Sequence, residues 1–112
     1  MATPTVGAVI LVPFPFSDLT NSKLRPAVVL ARTGRDWVLC QITSKPYTDQ
    51  IAIEIKDADF KSGTLRQTSY ARPGKLFTAN DNLIVSHVGQ LKKEIFEQIV
   101  NAVIALLQSS VQ

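Results

Sequence analysis

Arg25 stands in "SDLTNSKLRPAVVLA", directly before Pro26 and an apolar run. A cation at the first residue of a strand, with a polar loop before it, is well placed to meet a ligand. The strand fixes the backbone while the loop leaves the side chain open. The guanidinium fork matches the oxygens of a phosphate and stabilises charge that develops on them. Thr43 and Ser44 close the apolar run "WVLCQIT" and offer hydroxyls to the same anion. A short turn, "TGRD" at 33–36, joins the Arg25 segment to that run. Counting outward from the turn pairs residues whose numbers sum to roughly 69, so Arg25 faces about Ser44. Arg72 in "SYARPGK" is a second candidate cation, and Lys23 and Asp18 lie in the loop leading to Arg25.

Other chemistries find less support. The chain has one histidine, His87, and one cysteine, Cys40. One of each cannot close a zinc site, and the acids lack a calcium-loop pattern, so no metal site is read. There is no glycine-rich phosphate loop. A Ser/His/Asp nucleophile has no warrant in the spacing. Cys40, between apolar residues, reads as a small buried hydrophobe, and His87 as a satisfied structural histidine.

The elements that must position these residues are mostly short strands. "GAVILVPF" (7–14), "RPAVVLAR" (25–32), "WVLCQIT" (37–43) and "QIAIEI" (50–55) are apolar or alternating runs broken by turn residues. Pro13 and Pro15 stop the first and blunt its edge, with Phe14 and Phe16 packing there. Residues 17–24 read as a flap, and 56–68 as a polar connection. "SYARPGKLFTA" (69–79) is extended with Pro73-Gly74 as a turn or bulge inside it, and "LIVSHVGQL" (83–91) is a last apolar run. In "LKKEIFEQIVNAVIALLQ" Leu91, Ile95, Phe96, Ile99, Val100, Val103, Ile104 and Leu107 recur at helical spacing. Many short strands and one closing amphipathic helix predict an α+β domain over 1–112, mostly a small antiparallel β-barrel.

Composition sets the class. The chain has 112 residues, 12 basic and 9 acidic, for a net charge of +3. Lys23, Arg25, Arg32 and Arg35 face only Asp18 and Asp36 in the first part of the chain, which permits an anionic partner. No run approaches the length of a membrane span, and no basic residue precedes the first apolar run as a signal peptide requires. With a single thiol, a reducing cytoplasm is the expected compartment.

The ordered set of motifs resembles the PemK/MazF-like toxins. "GAVILVPFPFSDLTNSKLRPAVVLA" is similar to their opening strand, variable loop and Arg-Pro. "VLCQITS" resembles their third strand, "SYARPGKLFTAN" their second arginine segment, and "VGQLKKEIFEQIVNAVIALL" their closing helix. The resemblance implies an SH3-like barrel and a homodimer. It implies cofactor-free, metal-independent, sequence-specific cleavage of single-stranded RNA, mRNA included, by 2′-OH attack. It implies a cognate antitoxin whose tail fills the RNA groove, with operator DNA touched only through that antitoxin. Arg25 then matches the arginine on the scissile phosphate and Thr43 the hydroxyl that holds it. Arg72 matches a second arginine, with Ser44, Lys23 and Asp18 as further substrate contacts. The chain departs from the pattern where a base is assigned. The acid two residues past the second arginine is Gly74 here, and the acid after the first glycine is Ala8. Asp18 and Asp81 are the substitutes on offer, and the general base stays unassigned. A non-catalytic barrel that binds RNA or a peptide is the alternative.

Overall fold

The computed structural model describes residues 4–14 and 23–111. Pro15, Phe16, Asp18 and most of the 17–24 flap lie outside them. Seven strands form: β1 (Ala8–Pro13), β2 (Leu24–Thr33), β3 (Asp36–Thr43), β4 (Ile53–Ile55), β5 (Phe60–Gly63), β6 (Ser69–Asn80) and β7 (Ser86–Leu91). Helix α1 (Lys93–Ser109) follows. The strands make one antiparallel sheet in the order β4-β6-β3-β2-β1-β7-β5. The sheet curls into a half-barrel with β4 and β5 as its edges, and the fold is α+β as the patterning predicts.

Strand alternation sends apolar residues to both faces, and each face builds a core. Val9, Val28, Cys40, Ile42, Ile55, Ala71 and Leu91 lie on one face with Ile95 and Ile99 of α1. Ala8, Ile10, Val12, Ala27, Val29, Trp37, Leu39 and Ala79 lie on the other. The helix seats by burying Ile95, Ile99 and Val103, one turn apart. Its first turn carries Glu94, which suits the positive end of the helix dipole.

The turn at Gly34 joins β2 and β3. Its φ of 64° is what a two-residue hairpin turn needs at the first central position, and Thr33 pairs with Asp36 across it. Beyond it the β2–β3 register shifts between Val29 and Ala31, so Ala27 pairs with Gln41. Continued two residues further, this register sets Arg25 across from Thr43, one residue earlier than simple counting gives.

Three expectations change. β1 is not an edge strand: it lies between β2 and β7. Pro13 is tolerated because the β7 ladder has already ended at Leu11, while the β2 ladder runs on to Pro13 and Leu24. The segment read as a polar connection contains β5, because Phe60 is buried and pairs with Leu91. The strand read at 50–55 shrinks to Ile53–Ile55. Asp49 holds the residues before it in a turn, its Oδ1 accepting from Ile51 N at 3.2 Å.

Candidate functional site

Arg25 is exposed at the start of β2, where β1 supports it through the pair Val12 and Arg25. The ion pairs among the described residues are Lys56–Glu54, Arg72–Asp49 and Lys93–Glu97, so Arg25 takes part in none of these. On β3, Thr43 is half-buried, and its hydroxyl is fixed by the next turn. Lys45 N donates to Thr43 Oγ1 at 3.2 Å, and Oγ1 donates to Lys45 O at 3.3 Å. The second of these is long, and an incoming anion can take over that proton. A strand-fixed guanidinium and a hydroxyl of set orientation, each two residues beyond the Ala27–Gln41 pair, have the donor chemistry that a phosphate would take.

The face they share follows from alternation. Arg25 is in step with Ala27 and Val29, and Thr43 with Gln41, Leu39 and Trp37. Ala27, Val29, Leu39 and Trp37 belong to the core on the face away from the helix. The site is therefore the polar mouth of that second core. Gln41 is only 9 % exposed, between Leu39 and Thr43 in the same row.

β6 opens the sheet beside it. Cys40 pairs with Leu76 and Ile42 with Ala71, so Arg72–Lys75 oppose the single residue Gln41. This is the turn or bulge expected at Pro73-Gly74. Pro73 is buried in it and has no N–H to leave unpaired. Lys75 falls in step with Phe77 and Ala79, which brings a cation that the sequence reading did not single out to the face of Arg25.

The remaining candidates separate. Arg72 does not project freely: its Nε donates to Asp49 Oδ2 at 2.8 Å. Lys23 and Ser44 are exposed and flank Arg25 and Thr43 in the chain. Asp18 lies outside the described residues. Asp81 accepts from the Trp37 indole N–H. Trp37 is six residues from Thr43 along an extended strand, roughly 20 Å away, so Asp81 is far from the Arg25 end. Phe14 meets Phe77 edge-to-face, ring centres 5.4 Å apart, which is packing rather than a free platform. Tyr47 is 84 % exposed on a backbone of positive φ. His87, read as a structural histidine, is exposed on β7. Cys40 is buried, as expected, with Sγ 3.1 Å from Arg72 O. Among the described residues no three His, Cys, Asp or Glu side chains gather as a metal site would need.

A curled antiparallel sheet followed by one C-terminal helix defines a class of small α+β protein. The chain belongs to the PemK-like, MazF-like toxin family of type II toxin-antitoxin systems, whose model matches residues 5–107. A search of curated protein sequences finds no match. Among solved structures, an endoribonuclease from a mycobacterial species superposes with a TM-score of 0.71 at 18 % identity, covering 96 % of this chain and 94 % of that one. A mycobacterial endoribonuclease in complex with its cognate antitoxin gives 0.74 at 14 % identity, covering 95 % and 96 %. The MazE–MazF complex of Deinococcus radiodurans gives 0.74 at 14 %, covering 96 % and 98 %. At these identities the likeness establishes the fold.

Proposed function

We propose that this chain is the toxin of a toxin-antitoxin pair and acts as a metal-independent, sequence-specific endoribonuclease on single-stranded RNA, as a homodimer in the cytoplasm. The observation that supports this is an exposed Arg25 on β2 and a half-buried Thr43 on β3, each two residues beyond the last β2–β3 pair, Ala27 with Gln41. RNA brings its own nucleophile, the 2′-OH. The enzyme must orient it, stabilise the phosphorane and see the 5′-oxygen leave with a proton. Arg25 stabilises the charge, Thr43 donates to a non-bridging oxygen, and Lys23, Ser44 and Lys75 hold flanking backbone. Arg72 acts at one remove, by fixing the bulge through Asp49. A single strand is the substrate because in-line attack needs a nucleotide free of a duplex. The inhibitory partner is a cognate antitoxin laid over the same cationic mouth, with any operator DNA contacted through that antitoxin.

The test is cleavage of a mixed RNA pool in EDTA. The expected products carry 2′,3′-cyclic phosphate ends, and expression without an antitoxin arrests growth. An uncut pool removes the nuclease reading. A second reading has its own observation: Ala8 is fully buried, Gly74 has no side chain, and Asp49 is committed to Arg72, so none of the three supplies a free carboxylate. On that reading the barrel binds RNA or a peptide without cutting. Salt-sensitive RNA binding with neither cleavage nor growth arrest would select it.

A further inference from the structure

We propose that Gln41 is a substrate-binding residue whose carboxamide holds the ribose 2′-hydroxyl at the Arg25–Thr43 site, and so makes the site prefer RNA to DNA. The proposal rests on the ribonuclease reading above. Gln41 is 9 % exposed, and its Oε1 is buried with no hydrogen-bond partner. Buried polar atoms are paired in the great majority of cases, and an orphan calls for an explanation. Packing does not supply one. Toward the core the side chains in step with it, Leu39, Ala27, Val29 and Phe77, are apolar, and the polar ones on that face, Arg25, Thr43 and Lys75, belong to the site itself; a leucine or methionine of similar volume fits such a place without the penalty. The amide is therefore maintained for something absent from the free protein.

Its position says what. On β2 it pairs with Ala27, two residues inside Arg25, and along β3 it sits two residues inside Thr43. On the β6 side it lies where the ladder skips from Leu76 to Ala71. A phosphate held between Arg25 and Thr43 thus has Gln41 as the next polar group toward the sheet floor. In RNA the donor nearest a 3′-phosphate is the 2′-hydroxyl on the adjacent carbon. A carboxamide oxygen accepts that proton's hydrogen bond, and a half-turn of the amide exchanges Oε1 for Nε2 without changing its volume. The amide is not basic enough to remove the proton, so its work is to orient the nucleophile. A site that accepts from a substrate hydroxyl discriminates strongly against the analogue that lacks it, because the acceptor is then left unpaired. Deoxyribose is that analogue.

The experiment compares wild type with Gln41→Leu and Gln41→Met. Two oligonucleotides span a site found in the mixed pool: all RNA, and RNA with one 2′-deoxy sugar at the cut nucleotide as an uncleavable competitor. Both variants should lose roughly tenfold or more in kcat/KM on RNA. The competitor's Ki should stay within about twofold, since it has no 2′-hydroxyl to lose, and Tm should rise by about 3 °C or more as the orphan acceptor disappears. Unchanged kcat/KM overturns the proposal. So does a Ki that weakens in step with kcat/KM, which places the contact elsewhere on the RNA. A lower Tm in both variants means the amide is held by the fold, and overturns it too. If leucine prevents folding, the methionine variant carries the comparison. Wild type that leaves RNA uncut removes the underlying reading before any variant is compared, and the proposal with it.

Discussion

Arg72 Nε donates to Asp49 Oδ2 at 2.8 Å, and this pair ties the β6 bulge to the turn that follows β3. The side chains are 26 % and 11 % exposed, so most of the pair is out of water. Removing one partner leaves a charge that the fold has already desolvated. Asp49→Ala and Arg72→Ala should each cost about 2–4 kcal/mol, toward the low end because Arg72 keeps some solvent. Urea unfolding measures this. The double variant should cost clearly less than the two single losses together, since the partners lie in direct contact. Additive losses would mean the pair contributes nothing as a pair.

Two glycines should respond to alanine in opposite ways. Gly63 has φ of 72°, and a Cβ there would lie 2.1 Å from Val88 O. That oxygen belongs to the backbone of the partner segment and cannot turn aside. Gly63→Ala should therefore cost about 2–4 kcal/mol and free the β5 edge. Gly74 has an ordinary φ, and a Cβ there would meet only Leu106 Cδ2 at 3.8 Å. Gly74→Ala should be neutral or stabilise by about 0.4–1 kcal/mol, because it restricts the unfolded chain. Thermal unfolding of both variants separates the cases. Equal losses would show that the bulge at Pro73-Gly74 is as tightly enclosed as β5.

These contrasts mark what can be read from residues in order. The 3.6-residue apolar recurrence places α1, because Ile95, Ile99 and Val103 must be buried together, although Ile104 and Leu107 at the far end of the same recurrence stay exposed. Arg25 is legible as a candidate because Pro26 and the following apolar run fix where β2 begins. β5 is hidden since only Phe60 in a polar stretch carries its burial, and its partner Leu91 is far along the chain. The β2–β3 register is off by one residue at Ala27 and Gln41 when counted from the turn, because the shift between Val29 and Ala31 has no marker in residue type. Arg72 reads as free because its partner Asp49 is distant in sequence and the β6 bulge brings them together. Gln41 looks like an ordinary polar position in a strand until its Oε1 proves buried without a hydrogen-bond partner.

Trp37 gives a direct view of the far end of the sheet. Its indole N–H donates to Asp81, and the Arg32 guanidinium lies 4.9 Å from its ring centre. Asp81→Ala removes the acceptor from a buried donor and should cost about 1–3 kcal/mol. Trp37 is the sole tryptophan, so its fluorescence should change with that substitution. RNA cleavage, where present, should stay near wild type once the variant is held well below its Tm. A loss of cleavage that exceeds the folded fraction would return Asp81 to the list of candidate bases.

Arg25 carries the charge stabilisation in the proposed reaction. Arg25→Ala should lower kcat by a factor of about 10²–10³, equivalent to about 2.7–4 kcal/mol of transition-state stabilisation. Arg25→Lys should recover only part of this, because an ammonium keeps the charge and loses the two-pronged geometry. The side chain is exposed, so neither change should move Tm appreciably. Full activity in Arg25→Ala would take the arginine out of the mechanism.

Cys40 provides a titration that reports on the core rather than on chemistry. Burial pushes its thiol up from 9.0 to about 12; backbone hydrogen bonding with Arg72 offsets part of this, and the Asp49 charge adds to it. The thiol is protonated in both states below about pH 8. As pH rises from 9 toward 12, the unfolded chain releases the proton and the folded chain keeps it. The unfolded state then binds fewer protons, so stability falls with pH across that window. Between about pH 8 and pH 10.5 the loss assignable to this thiol is about 2 kcal/mol. Cys40→Val removes the group, and urea unfolding at the two pH values should show a shallower decline than wild type by about that amount. A disulfide-exchange reagent at about pH 8 should label native Cys40 only as fast as the sheet opens, since the thiolate is the reactive form. Matching pH dependence in the two proteins, together with rapid labelling of the native state, would show that the thiol is reached by water and that the half-barrel is looser at β3 than its burial implies.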